Sequence, residues 1–493
     1  MKYYSTRDTG TEIKSCTSAE AIKTGLAHDG GLFMPDSFPK IGSSDITDLC
    51  KLDYYKRASK ILSMFLTDYN VRDIEDDCKE AYSERRFPGG PAPLVKLSDN
   101  SSVLELWHGP TCAFKDMALQ IMPRLLSRAL KMTGEKRKAH ILVATSGDTG
   151  KAALEGYRDV DGIDITVFFP VDGVSAMQKL QMTTQLGENV DVCSVNGNFD
   201  DAQNGVKRIF SDPSAAEEAD RRGFFLSSAN SINWGRLAPQ IVYYISAYCD
   251  LINSGKIKNG EKINFCVPTG NFGNIFAGRI AMEMGLPVNR LICASNSNCV
   301  LTDFIRTGTY DRTREFFKTM SPSMDILISS NLERLIWLTS GPEVTSDCMS
   351  KLSKDGKYTV PASTLSSIQN VFCGYYADES ETASTINNTY YEKGYLADPH
   401  TSVALTCCNK YREETGDDTQ TVILSTASPY KFAADVCRSL GSKAEINEPG
   451  ALISELEKIS NTKAPDQLKK TVSMPVRFDR VVDPDDMKKV IFN

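Results

Sequence analysis

Residues 263–274 read Ile263-Asn264-Phe265-Cys266-Val267-Pro268-Thr269-Gly270-Asn271-Phe272-Gly273-Asn274. The first five suit a buried strand. Pro268 ends it, and two glycines then admit positive φ and a close backbone approach. From 275 to 284 the apolar period becomes helical. Strand, glycine loop and helix in this order predict a βα unit. Its loop presents unpaired N–H groups and the positive helix end to an anion. No Gly-Lys-Ser/Thr follows, so the loop is not a P-loop. The third glycine and distal acid of a dinucleotide fingerprint are missing too.

The same alternation recurs outward from this unit. Short apolar runs at 140–144, 165–169, 290–294 and 421–424 each precede a turn and a helical pattern. This predicts a mostly parallel, doubly wound sheet, with ligands at the carboxyl ends of its strands. Upstream, 19–26 reads as a short helix leading to the turn His28-Asp29-Gly30-Gly31. A helical stripe through Tyr54, Ile61, Leu62 and Phe65 covers 53–66. The run Phe87-Pro88-Gly89-Gly90-Pro91-Ala92-Pro93 suits neither element, so a boundary is predicted there. The expected units are a small helical domain at 1–88, an α/β core at 89–440 and a polar, partly helical tail at 441–493. Within the tail, 451–459 is expected to pack on the core.

Two further strand ends carry polar loops. Thr145-Ser146-Gly147-Asp148-Thr149-Gly150-Lys151 follows 140–144. Its glycines and hydroxyls fit an anion seat or a capped tight turn, and the charge of Asp148 opposes the first. Ser425-Thr426-Ala427-Ser428-Pro429-Tyr430-Lys431-Phe432 follows 421–424 and fits helix capping. A lysine also stands after a turn in Leu106-Trp107-His108-Gly109-Pro110-Thr111-Cys112-Ala113-Phe114-Lys115-Asp116. Lys115 is either a desolvated amine with a lowered pKa, fit for Schiff-base chemistry, or a surface lysine with its stem on apolar neighbours.

Composition narrows the function. The 493-residue chain carries a net charge of -7, so no broad positive field draws nucleic acid or an anionic membrane. The start, Met1-Lys2-Tyr3-Tyr4-Ser5-Thr6-Arg7-Asp8, lacks the apolar stretch of a signal peptide, and no long apolar run follows. A cytoplasmic location is expected. The 14 cysteines show no C-x-x-C spacing and are expected to be reduced core residues. No metal site is expected.

Taken in order, the lysine segment 108–116, Thr145-Ser146-Gly147-Asp148-Thr149-Gly150, the loop 268–274 and the late segment 425–432 resemble the threonine synthase family, in its longer bacterial and fungal type. Residues 24–35, Ser228-Ala229-Asn230-Ser231-Ile232-Asn233-Trp234-Gly235-Arg236 and Asp398-Pro399-His400-Thr401 extend the resemblance through most of the chain. It implies a tryptophan synthase β-like fold (fold type II) with two doubly wound α/β domains and a small N-terminal domain. It also implies pyridoxal 5′-phosphate as cofactor.

By the same resemblance, Lys115 holds the cofactor. Gly270, Asn271, Phe272, Gly273 and Asn274 grip its phosphate. Thr426 faces the pyridine nitrogen; some relatives carry histidine where Ser428 stands. Ser146, Gly147, Asp148 and Thr149 hold the substrate carboxylate and approach the cofactor's 3′-oxygen. Lys179, Asn233 and Arg236 are the candidates for a substrate phosphate. The implied reaction converts O-phospho-L-homoserine and water to L-threonine and phosphate. One alternative is a phospho-lyase releasing 2-oxobutyrate, ammonia and phosphate. Another is a non-catalytic binding or regulatory protein on the same fold. The implied partner is a small molecule, with neither nucleic acid nor membrane, and the implied state is monomer or homodimer.

Overall fold

The computed structural model describes residues 1–10, 14–145, 147–171 and 173–492. A short antiparallel pair, β1 (Tyr3–Ser5) and β2 (Phe33–Pro35), opens the chain. The helices Ser18–Thr24, Ser43–Cys50, Tyr54–Phe65 and Val71–Ala81 complete the N-terminal unit. It ends at a connection in which Gly89 and Gly90 both take positive φ.

Beyond it come β3 (Leu94–Lys96), β4 (Ser101–Glu105), β5 (Lys138–Ala144), β6 (Ile163–Pro170), β7 (Val190–Val195) and β8 (Phe224–Ser227). These are followed by β9 (Ile263–Pro268), β10 (Val288–Ser295), β11 (Thr309–Asp311), β12 (Lys357–Thr359), β13 (Phe372–Tyr376), β14 (Thr421–Ser425) and β15 (Val481–Val482). One sheet has the order β13-β10-β9-β14-β4-β3, parallel except for β3. The other, β15-β7-β6-β5-β8, is parallel throughout. β11 and β12 form a separate antiparallel pair. The doubly wound α/β reading is therefore correct.

β9 and β14 are buried along their whole length, as central strands of a covered parallel sheet must be. The chain leaves the first sheet after β4, builds β5 to β8 of the second, and returns through β9. β4, β5, β9 and β14 thus all end at loops that meet in one place.

The helix Trp234–Asn253 is buried along nearly all its length and joins the N-terminal unit to the core. Trp234 meets Tyr3 and Phe65 edge-on, with ring centroids 5.4 and 5.6 Å apart. The C-terminal helix Pro449–Ser460 buries Leu452, Ile453 and Leu456. The tail then adds β15 beside β7. Among the described residues no helix is long and apolar enough to cross a membrane.

Candidate active site

The loop after β4 is fastened to the loop after β14. The Leu106 N–H donates to the Ser425 carbonyl, the Phe114 N–H to Thr426 and the Ser428 N–H to Cys112. Asp116 closes the intervening turn by accepting the Thr111 N–H at 2.8 Å and its hydroxyl at 2.9 Å. Gly109 is required beneath it, because a Cβ there would lie 2.5 Å from the carboxylate.

Lys115 emerges from this braced turn with its ammonium 4.1 Å from the Phe114 ring centroid. No described residue bonds its amine. Burial, and after it the nearby Arg236 charge, lower its pKa to about 7 against an opposing pull from Asp148. A free amine at neutral pH is what addition to an aldehyde needs. Cofactor capture by the cofactor-free protein is therefore expected to speed up about tenfold per pH unit below about 7 and to level off above it. A rate still climbing towards about 10.4, the range of an ordinary lysine, would refute this.

The loop after β5 is shaped by Thr145, whose hydroxyl accepts the N–H groups of Gly147 and Gly150, each at 3.0 Å. Gly147 takes φ 140°, and a Cβ on it would lie 2.5 Å from the Gln178 amide. Ser146 lies outside the described residues. Asp148 opens the helix Asp148–Tyr157 and is buried. It pairs with Lys431 at 2.6 Å and accepts from Gln178 Nε2 at 2.9 Å and Ser323 Oγ at 3.3 Å. Lys431 also donates to the Thr111 carbonyl at 3.0 Å. Burial pushes the Asp148 pKa up, but the Lys431 charge and these hydrogen bonds outweigh it and hold it at about 2. The negative charge that opposed an anion seat is thus neutralised inside the protein. Thr149 sits half-buried on the same helix.

After β9, the carbonyls of the glycine loop are held from behind. Ser329 Oγ donates to the Gly270 carbonyl at 2.6 Å, while the Asn331 N–H and side-chain amide both donate to the Asn271 carbonyl. Phe272 takes the left-handed conformation at φ 61° and starts the helix Gly273–Met284. The N–H groups of 271–274 have no partner among the described residues. Asn274 gives its side-chain oxygen to Tyr243 and Tyr244, leaving Nδ2 buried without an acceptor. Unpaired donors at a helix N-terminus fit a phosphate. A Cβ on Gly270 would lie 2.9 Å from the Ser323 carbonyl oxygen, and one on Gly273 would lie 3.2 Å from the Asn331 amide. Gly273→Leu is expected to weaken cofactor retention about tenfold or more, by covering these donors. Undiminished retention after dialysis would place the phosphate elsewhere.

The candidates for a substrate phosphate part company. Arg236 is buried, donates to the Ala229 carbonyl at 2.5 Å and leaves Nε without an acceptor. No carboxylate among the described residues pairs with it, and burial lowers its pKa to about 10. Asn233 is buried with both ends of its side-chain amide engaged. Nδ2 donates to the Ile22 carbonyl at 2.8 Å, and Oδ1 caps the Gly235 N–H at 2.8 Å. As the N-cap of Trp234–Asn253, Asn233 ties that helix to the N-terminal unit, with one of its two amide N–H groups spent on Ile22. Lys179 is exposed on the helix Ala176–Thr183, whose inward face carries Gln178 and Gln181. Gln178, Ser323, Asn331 and Lys431 were not read as site residues. The helical spacing of Gln178 and Gln181 was a usable signal, whereas the packing of 319–331 over the site left none in the sequence.

Three family models match: "Threonine synthase N terminus" at residues 2–82, "Pyridoxal-phosphate dependent enzyme" at 86–427 and "Threonine synthase, C-terminal" at 401–491. Human "Threonine synthase-like 1" is 40% identical over 87% of this chain, which spans 58% of that relative's length. Threonine synthase of Saccharomyces cerevisiae is 36% identical, covering 94% of this chain and 93% of its own. The crystal structure of pyridoxal-phosphate-bound threonine synthase from Brucella melitensis superposes with a TM-score of 0.87 at 36% identity, covering 100% of this chain and 98% of that one. The glycine loop's unpaired donors and the depressed amine of Lys115 suit the same cofactor. With fold, loops and relatives in agreement over nearly its whole length, the chain belongs to the threonine synthase family of pyridoxal-phosphate-dependent enzymes.

Proposed function

We propose that the protein converts O-phospho-L-homoserine and water to L-threonine and phosphate. The observation that carries this is Arg236, a buried guanidinium with no carboxylate partner among the described residues, whose charge bears on Lys115. A cation buried without a counter-ion is costly, and a dianionic phosphate on the substrate offsets that cost through paired hydrogen bonds. A substrate without phosphate leaves Arg236 uncompensated.

Bound pyridoxal phosphate supplies a sink for the negative charge that develops on the substrate carbons. The residues around it do the rest. Lys115 holds the cofactor and, once displaced by the substrate amine, takes the proton from the α-carbon. The Asp148 and Thr149 N–H groups and the Thr149 hydroxyl orient the substrate carboxylate. Arg236 holds the phosphate as it leaves the γ-carbon with the electron pair freed by loss of a β-proton; the γ- and α-carbons each regain a proton before release. Water must then be admitted to the β-carbon alone, so the surrounding loops have to exclude it elsewhere.

The test is one incubation with O-phospho-L-homoserine, following phosphate and amino acid together by NMR. Equal yields of phosphate and L-threonine are expected. Phosphate with 2-oxobutyrate and ammonia would assign the phospho-lyase reaction, a second reading kept by the 40% identity to Threonine synthase-like 1. Cofactor binding without phosphate release would overturn both.

A further inference from the structure

The segment Asp398-Pro399-His400-Thr401 has no part in the steps above, yet Asp398, His400 and Thr401 are all buried. Asp398 caps the helix Pro399–Thr415, accepting the N–H groups of His400 at 2.9 Å and Thr401 at 3.2 Å. That alone satisfies the helix start. The His400 ring does something else. Its Nε2 accepts the Ser323 N–H at 3.1 Å, so the ring proton lies on Nδ1, which donates to Asp398 at 2.7 Å. The Phe432 ring holds it edge-on at 4.8 Å.

Ser323 stands where the site's loops meet. Its hydroxyl donates to Asp148, and its carbonyl backs Gly270. Farther along the same segment, Ser329 and Asn331 grip the Gly270 and Asn271 carbonyls. A second branch leaves the same cap: the Thr401 hydroxyl bonds to Asp398 and to Ser425, which also accepts from Trp107 Nε1 at 2.9 Å. Ser425 precedes Thr426 in the loop zipped to the lysine turn.

We propose that His400 is a positioning residue: by accepting the Ser323 N–H it seats the 319–331 segment behind the glycine loop and beside Asp148, and so sets the grip on the cofactor phosphate. This rests on the glycine loop being the phosphate site.

Two substitutions separate the ring's two bonds. In His400→Gln the side-chain oxygen reaches the place of Nε2 and keeps an acceptor for Ser323, but the bond to Asp398 is lost. In His400→Asn the shorter amide keeps a donor for Asp398 and leaves the Ser323 N–H without an acceptor. Cofactor release from the loaded proteins is followed by absorbance, and thermal midpoints are measured without cofactor. Release is expected to be about tenfold faster in His400→Asn and within about threefold of the parent in His400→Gln, the scale of one hydrogen bond. The thermal midpoint should fall further in His400→Gln. A purely structural role predicts the opposite coupling, with release fastest in the less stable variant. That result, or parental release from both, overturns the proposal. If either variant fails to fold, an amide-to-ester replacement at Ser323, which removes its N–H and keeps the side chain, tests the same bond from the other end. Faster release supports the proposal and parental release overturns it. Gly273→Leu is run alongside: parental retention there means that the phosphate-site reading has failed, whatever His400 does.

Discussion

Replacing Lys115 by alanine is expected to remove the visible-edge absorbance of the cofactor-loaded protein and to lower turnover about 10³-fold or more, since positioned acid–base catalysis alone contributes roughly 10²–10⁴-fold. The fold should be unaffected. Among the described residues Lys115 makes no ion pair or hydrogen bond through its amine, which lies over the Phe114 face, so truncation strands no buried partner there. Thermal midpoints of the cofactor-free parent and variant should therefore agree, separating lost chemistry from lost structure. Borohydride should fix the cofactor to Lys115 in the parent and to nothing in the variant. Retention of the band and of activity would mean that another amine holds the cofactor.

The second large effect concerns stability. Lys431 and Asp148 form a buried pair, with side chains 0% and 5% exposed. Lys431→Met leaves the carboxylate buried without its cation, which is expected to cost about 3–5 kcal/mol. Adding Asp148→Asn should recover much of this, because neither member of the pair then carries a charge. The pH dependence has a definite sign. In the parent, the Asp148 pKa is lowered from 3.8 to about 2, so its contribution to stability is present above about 4 and is lost as pH falls through about 2. In Lys431→Met burial raises that pKa, so acidification stabilises the variant relative to the parent as the carboxyl takes up a proton. Denaturant titrations of the three proteins between neutral pH and pH 4 check this. A pH-independent loss under about 1 kcal/mol, the scale of an exposed ion pair, would refute it.

Much of this architecture is legible in the sequence. β5, β6, β9, β10 and β14 each hold a short apolar run that declares itself by hydropathy. The loops that follow β5, β9 and β14 are rich in glycine or hydroxyl residues, a composition suited to strand ends facing a ligand. β4 escaped because Ser101 and Ser102 dilute it and only Val103 and Leu104 signal burial. β13 escaped because Gly374 reads as a breaker. A Cβ there would lie 2.9 Å from the Thr302 Cα, so the glycine lets the helix Val300–Thr307 cross the strand closely. Lys431 was visible only as a letter in a motif. Its partner lies 283 residues away (431 minus 148), and no local pattern encodes such a meeting. The structural bonds of Asn233 are hidden for a related reason. An asparagine before a helix is a cap first, and the Ile22 carbonyl that takes its other end belongs to a distant element.

β14 lies between β9 and β4, although it is made after both. During synthesis the chain must carry β4 from residue 105 until residue 425 exists, an interval of 320 residues (425 minus 105). At about 5–20 residues per second this is roughly 16 to 64 s. Once β9 is complete at residue 268, for the last 157 residues of that interval (425 minus 268), two strands face a vacant middle of the sheet with unpaired edges, the kind of surface that draws neighbouring nascent chains into aggregates. A chain stopped before residue 421 should therefore be recovered as insoluble material or bound to chaperones, whereas one stopped after the strand is complete should gain solubility abruptly.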